Sequence, residues 1–152
     1  MSTSRSLTNE DQERAQILAN WNLAPTRRRA MCRMKWDAAY AEAVESEYRK
    51  FILLAARPAN PPYGMAGAVD EFWHEHIIDT LDYDGMCSAV AGRFIHHLPA
   101  DEVASSADYE RTLAHLADTF GDVSPIWPRA EGKLGGKCAS CNEPGNPSAD
   151  PA

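Results

Sequence analysis

The stretch DAAYAEAVESEYRKFILLAA (residues 37–56) carries the apolar pattern that decides the fold. Its large apolar side chains recur at i, i+4 and i+8, the spacing that places side chains on one face of a helix. Asp37 is suited to cap the start of such a helix, because a short acidic side chain can accept a hydrogen bond from a free backbone N–H group. The core stripe comprises Tyr40, Val44, Tyr48, Phe51, Ile52 and Ala55.

Helical periodicity also dominates on both sides of this stretch, and no segment shows the alternation of apolar and polar residues that is typical of a strand. Thr8 or Asn9 can cap a first helix, and residues 27–57 are helical with an interruption expected near Asp37. Prolines and glycines make residues 57–67 a connector. Residues 68–92 form the next helical stretch, with a kink or turn at Asp79-Thr80. Ser105 or Ser106 caps a last helix that Gly121 closes.

These elements predict an all-α bundle of four to five helices in a single domain, residues 1–128. Ile126 and Trp127 are expected to be buried across the bundle. In residues 129–152 Gly, Pro, Ser, Lys and Ala prevail, and this segment is predicted to be a disordered tail.

Composition limits the classes of partner. The formal net charge is −7, which argues against non-specific binding to nucleic acid. The basic segment TRRRAMCRMKW (residues 26–36) is short and is interpreted as a solvated helix face. No apolar run is long enough to span a membrane, and the first residues lack the apolar region of a secretory signal. A cytoplasmic location is therefore expected.

Two histidines flank Glu75 in VDEFWHEHIIDT (residues 69–80), but they do not form a zincin motif. That motif needs histidines four residues apart on one helical face. His74 and His76, two residues apart, point about 200° apart on a straight helix. They are therefore assigned to different neighbourhoods. His74 lies over Asp70 at i−4, which suits a supporting carboxylate–imidazole pair.

His76 shares a helical face with Asp79, and the chain reversal near Gly92 can bring His96 and His97 to the same place. Two histidines with a carboxylate suit zinc, iron(II) or manganese. The predicted metal ligands are His76, Asp79 and His97, with His96 and His74 as further ligands or supporting groups. The alternative is that these histidines are hydrogen-bonded residues in or at the rim of the core. The side chains expected in the core beside them are Trp73, Ile77, Ile78 and Leu81. His115 is interpreted as a packing or surface residue.

The four cysteines do not form a disulfide framework for a cytosolic chain. Cys32 and Cys87 are expected to be buried apolar side chains. Cys138 and Cys141 form a single CxxC pair within the predicted tail. One pair does not complete a four-ligand zinc site. The pair is therefore a labile thiol pair, a metal-capture arm, or part of a tail that folds back to complete a site.

The run VDEFWHEHIIDTLDYDGMC (residues 69–87), followed by GRFIHHLP (residues 92–99), resembles a family of small bacterial proteins of unassigned function. Those proteins are similar to the N-terminal domain of plant glycine-rich domain proteins. The resemblance covers residues 44–128 and rests on the WHxH…HHxP combination. Family members often end in a Gly/Cys-rich tail, of which GGKCASCNEPG (residues 135–145) is a sparse version.

The resemblance implies that the His/Asp/Cys set forms a functional site, and Cys87 and Tyr83 are expected to line its pocket. The leading hypothesis is a metal-binding protein or metalloenzyme; if it is an enzyme, His74 or Tyr83 would carry protons. A second hypothesis is a non-catalytic interaction module with structural histidines. A third is a carrier of a CASC tail on which a protein partner acts.

Overall fold

The computed structural model describes residues 7–98 and 102–129, and its description of side chains omits residues 102–105. This part of the chain is all-helical and has no strand. It contains six helices where four to five were expected, because the chain breaks at every junction that the sequence marked as a possible interruption. They are α1 (Asn9–Asn20), α2 (Ala24–Met34), α3 (Ala38–Ala56), α4 (Gly67–Ile78), α5 (Thr80–Ala91) and α6 (Glu102–Phe120).

Short polar side chains fix where three of these helices begin. Thr8 caps α1 by accepting a hydrogen bond from the backbone N–H of Asp11 at 3.1 Å. Asp37 caps α3 by accepting from the N–H of Tyr40 at 2.8 Å. Asp79 both ends α4 and caps α5. The predicted breaks at Asp37 and Asp79 are therefore confirmed, and each is produced by a side chain that satisfies an exposed helix end.

The start of the last helix was predicted wrongly. Helix α6 begins at Glu102, before the expected caps at Ser105 and Ser106. No residue between Glu102 and Ser105 is a glycine or a proline, so nothing in the local sequence stops an earlier start. The end follows the prediction, since Gly121 has a φ of 94° and its N–H donates to the carbonyl of Ala117 at 2.9 Å.

Helix α3 lies at the centre of the bundle and contacts helices α1, α2, α4, α5 and α6. Its stripe is buried from Val44 to Ala55, whereas Tyr40 is 40% exposed at the first turn. Two side chains expected in the core with Trp73 are also exposed, Ile78 by 62% and Leu81 by 86%. Both flank the break at Asp79, where the two helices change direction and the apolar face is interrupted.

The chain after α6 returns across the bundle, as predicted. Trp127 is buried and its indole N–H donates to the Glu47 carboxylate at 2.9 Å. The Tyr109 hydroxyl donates to the carbonyl of Pro128 at 2.7 Å. Ile126 is only partly buried. The predicted disordered tail, from residue 130 onward, lies outside the described residues.

Two further expectations concern residues of α2 and α5. Cys87 is buried, as expected, but Cys32 is exposed. Cys32 belongs to α2, a helix that buries only Thr26 and Ala30, so its other residues are at least partly exposed. Three arginines of this helix, Arg27, Arg29 and Arg33, pair with the protein's own carboxylates, as in the 2.6 Å contact between Arg27 and Glu45. None of the described helices has the length and apolar character needed to cross a membrane.

A partly buried ion pair joins the first helix to the end of α3. The Asp11 carboxylate, 3% exposed as a residue, accepts hydrogen bonds from Nε and Nη2 of Arg57 at 3.1 and 2.8 Å. Arg14 adds a third contact at 3.2 Å. The hydrogen bonds from Arg57 outweigh the effect of burial and hold the pKa of Asp11 below its ordinary value of 3.8. The ionised carboxylate therefore stabilises the fold.

Replacing this carboxylate tests its contribution. We expect Asp11→Asn to lower the free energy of unfolding by about 2 kcal/mol at neutral pH, because Arg57 loses a charged acceptor. The folded-state pKa is lowered, so this contribution is present above the unfolded pKa and is lost as pH falls through the folded pKa. The difference from wild type should shrink below about pH 4. Urea unfolding across this pH range measures it.

The matched control is Asp122→Asn, since Asp122 is exposed. This variant should unfold like wild type at every pH. An Asp11→Asn deficit that stays constant from neutral to acid pH would contradict the assigned role of the Asp11 charge.

Candidate metal centre

Three side chains bring one metal-ligating atom each to a common point. Among the described residues, the group of His, Cys, Asp and Glu side chains with this property is Asp70, His74 and His97. Nε2 of His97 lies 2.9 Å from Nε2 of His74 and 3.1 Å from Oδ1 of Asp70. Nε2 of His74 lies 3.6 Å from the same carboxylate oxygen. We call these three residues the triad.

Helix α4 and the segment after α5 position the triad. Asp70 and His74 are four residues apart on α4, so their side chains lie one turn apart on the same face. His97 comes from the segment after α5. Its imidazole stacks on the indole of Trp73, with ring centroids 4.1 Å apart and planes 12° from parallel. Trp73 is 4% exposed and therefore provides a firm support for the His97 ring.

A buried chain of hydrogen bonds fixes the backbone that carries His97. The indole N–H of Trp73 donates to the Tyr83 hydroxyl at 2.9 Å, and that hydroxyl donates to the carbonyl of Ile95. The N–H of Ile95 donates to the Cys87 sulfur at 3.5 Å. Tyr83 and Cys87 therefore support the segment two residues before His97.

The separations within the triad match the size of a bound ion. A triangle with sides of 2.9, 3.1 and 3.6 Å has a circumradius of about 1.9 Å. An ion placed about 0.8 Å from its plane would therefore be about 2.0–2.1 Å from all three atoms, the usual length of Zn–N and Zn–O bonds. The same lengths suit other divalent transition metals with imidazole and carboxylate ligands.

The polar atoms of the triad can pair with one another or with a cation. The two imidazole rings are within 10° of parallel and meet through their Nε2 corners, since these atoms are closer than the ring centroids at 4.8 Å. When one imidazole carries its proton on Nε2 and the other on Nδ1, this 2.9 Å contact is an N–H···N hydrogen bond. A cation would accept lone pairs from all three atoms and balance the charge of the buried carboxylate.

Exposure differs across the triad. The side chain of Asp70 is 4% exposed and that of His97 is 11% exposed. The side chain of His74 is 28% exposed. The triad is therefore enclosed on the Asp70 side and reaches solvent beside His74, where a further ligand could approach.

His76 lies in a different environment. It is fully buried, its Nδ1 is 2.7 Å from the Tyr48 hydroxyl and its Nε2 is 2.7 Å from Oδ2 of Asp82. The indole N–H of Trp21 donates to the same Asp82 oxygen at 3.1 Å. Burial, opposed by the Asp82 carboxylate, lowers the pKa of His76. Both ring nitrogens have partners, which link α3, α4, α5 and the end of α1.

The structure does not bring the predicted set of His76, Asp79 and His97 together. The His76 nitrogens face Tyr48 and Asp82, while the carboxylate of Asp79 accepts a hydrogen bond from the Asp82 N–H at 3.2 Å. His96 is exposed, and its ring lies 4.8 Å from that of Phe94. The predicted ligands are separated because the helix breaks at Asp79. The Asp79 side chain caps α5, and the chain after α5 returns beside His74.

The remaining predicted residues are placed as follows. The expected pairing of His74 with Asp70 is present. Tyr83 is buried, and its hydroxyl both accepts and donates a hydrogen bond. Burial raises the pKa of Tyr83 well above its ordinary value. Tyr83 therefore supports the site through its hydrogen bonds with Trp73 and with the backbone of Ile95. His115 packs against Tyr63, with Nδ1 2.7 Å from the hydroxyl. Asp70 is the member of the triad that the sequence marked only as a supporting group.

The His76 network predicts a structural phenotype. His76→Ala removes a buried ring and leaves the Tyr48 hydroxyl without its histidine partner, so we expect a loss of about 3 kcal/mol in unfolding free energy. Metal content, measured on the folded variant, should remain that of wild type. His96→Ala is the control, because His96 is exposed, and it should change neither property. A His76→Ala protein that keeps its stability but loses metal would refute this assignment.

Comparison with known proteins gives one family. The profile of the UCP032817-like family matches residues 13–133, which include all of the triad. Searches of curated proteins and of solved structures returned no match. Because the match spans most of the chain, the protein belongs to the UCP032817-like family.

Proposed function

We propose that the protein binds one divalent transition metal ion through Asp70, His74 and His97. The observation that carries the proposal is the triangle formed by Nε2 of His74, Nε2 of His97 and Oδ1 of Asp70. The lengths of its sides are compatible with three ligands around one ion. The triad joins the WHxH and HHxP segments, the two segments that also carry the resemblance to the N-terminal domain of plant glycine-rich domain proteins. That resemblance is part of the proposal.

The ligand types favour zinc, iron(II) or manganese. Two imidazoles and one carboxylate are the set that protein sites use for these ions when coordination positions remain open. The opening beside His74 would admit water or a substrate. A metal held in this way could act as a Lewis acid or lower the pKa of a bound water, which is the basis for considering a metalloenzyme. His74 would then be a ligand and no longer free to carry protons.

The test is metal binding by chelator-treated protein that was purified without an affinity tag. Calorimetric titration with zinc, iron(II) and manganese should show about one equivalent of at least one metal. His74→Ala and His97→Ala should each weaken binding by about a hundredfold or more, since each removes a ligand. Asp70→Asn should weaken it as well, because the amide lacks the carboxylate charge.

His96→Ala is the matched control for His97→Ala, because His96 is adjacent and exposed. It should bind like wild type, and circular dichroism should show that all variants are folded. Wild-type binding of less than about a tenth of an equivalent of each metal would sink the proposal. Equal effects of the His96 and His97 substitutions would do the same.

The second candidate function is a helical interaction module without a metal. It is favoured by the exposed apolar side chains Ile78 and Leu81 at the α4–α5 junction and by the wholly structural contacts of His76. In that case His74 and His97 would be a surface pair hydrogen-bonded to Asp70. Wild-type protein would then bind no metal in the titration, while Ile78→Ser and Leu81→Ser would leave stability unchanged and weaken binding to a protein partner.

A further inference from the structure

The open side of the triad lies next to an apolar surface on α4. His74 is the most exposed of the three ligands, with 28% of its side chain in solvent. Ile77 and Ile78 follow it at i+3 and i+4, so both lie one turn further along the same face of the helix. Side chains of a helix lean toward its N-terminus, and these two therefore lean back toward the His74 ring. We call Ile77 and Ile78 the isoleucine shelf.

The described residues leave part of this shelf uncovered. Ile78 is 62% exposed, whereas Ile77 is partly buried against the core. The core contact of Ile77 gives the shelf a fixed base. Because exposed aliphatic surface gains free energy when it leaves water, an apolar group that lies on Ile78 would be held there.

The charge of a metal-loaded triad favours an anion at the open position. A divalent ion brings two positive charges, and histidine binds metals as the neutral imidazole. Asp70 contributes one negative charge. The loaded centre would therefore keep one net positive charge, which a singly charged anion would neutralise beside His74.

The charged neighbours on α4 direct such an anion toward the shelf. The Glu75 carboxylate is compensated, since Arg29 and Arg33 lie 3.9 and 3.1 Å from its oxygens. Glu71 precedes His74 by three residues, on the side away from the isoleucines. A phosphate group is commonly held by free arginine forks, and these two arginines are already engaged by Glu75. A carboxylate approaching from the shelf side therefore fits the site better than a phosphate.

We propose that the metal-loaded centre binds a small aliphatic carboxylic acid, with its carboxylate at the open position beside His74 and its hydrocarbon chain on the isoleucine shelf. This inference rests on the proposed function and names the ligand class of that site. Carboxylate oxygens are suitable ligands for the ions that the triad would hold. The side chains of the shelf have no polar atom to pair with the amides of a peptide, which favours a plain hydrocarbon chain.

A series of acids of increasing length tests the contact with the shelf. Calorimetric titration of zinc-loaded, full-length protein with acetate, butanoate, hexanoate and octanoate should show affinity rising about twofold to threefold per methylene group. Ile78→Ser should bind acetate like wild type but reduce the gain from acetate to octanoate at least about tenfold. Leu81→Ser is the matched control and should behave like wild type, because Leu81 is 86% exposed but lies beyond the break at Asp79.

Cobalt(II) in place of zinc reports whether the carboxylate reaches the ion. Octanoate should change the visible absorption spectrum of the bound cobalt, and octanol, which has the chain without the carboxylate, should leave it unchanged. Metal-free protein should bind octanoate at least about tenfold more weakly, since the charge that attracts the anion is missing. His97→Ala should lose both the cobalt spectrum and the tight binding of octanoate.

The outcomes separate this inference from the proposed function. A triad that binds metal while every acid leaves the cobalt spectrum unchanged overturns the inference and keeps the metal site. An affinity that does not depend on chain length does the same, as does an equal loss in Ile78→Ser and Leu81→Ser. Octanoate that binds equally well without metal also overturns the inference. Failure of the wild-type protein to bind any metal overturns both proposals.

A peptide distinguishes the two sources of an aliphatic carboxylate. An acetylated tripeptide that ends in leucine presents a carboxylate and an aliphatic side chain together with amide groups. It should bind more weakly than hexanoate, because its amides would lose water without gaining partners on the shelf. Binding tighter than that of hexanoate would assign the carboxylate to a peptide C-terminus and overturn the assignment to a small acid.

Discussion

The buried hydrogen bond between the Tyr48 hydroxyl and Nδ1 of His76 is the contact on which the bundle depends. It joins α3, which contacts five other helices, to α4, which carries the triad. The opposite nitrogen of His76 continues to Asp82 on α5, and Asp82 accepts from Trp21. Four segments therefore meet around one imidazole, and burial of this ring requires every partner to be in place.

This constraint also sets the geometry of the candidate site. Because residues i and i+2 project about 200° apart, a helix that directs His76 into the core must direct His74 away from it. Trp73 directly precedes His74 and provides the surface on which the His97 ring rests. One short helix thus presents a structural histidine on one side and a ligand histidine on the other. The position of the triad follows from the packing of the core.

Much of this could be predicted from periodicity and capping residues, and some of it could not. The core stripe of α3, the caps at Asp37 and Asp79 and the separation of His74 from His76 are local properties that the spacing of residues reveals. The partner of His97 depends on how the chain returns after Gly92, a tertiary property that spacing does not contain. Leu81 and Cys32 were misplaced because an apolar residue beside a helix break or on a largely exposed helix has no core to face.

Asp79, which caps the end of α4 and the start of α5, is the one residue between the two helices. The rotational phase of α5 is thereby set by that of α4. One added or deleted residue at this point would turn α5 by about 100° relative to α4. Asp82 would leave His76, and Tyr83 would leave Trp73 and Ile95 at the same time. The junction therefore tolerates changes of side chain at its exposed positions but not insertions or deletions. A change of length there would disturb the core and the candidate metal centre together.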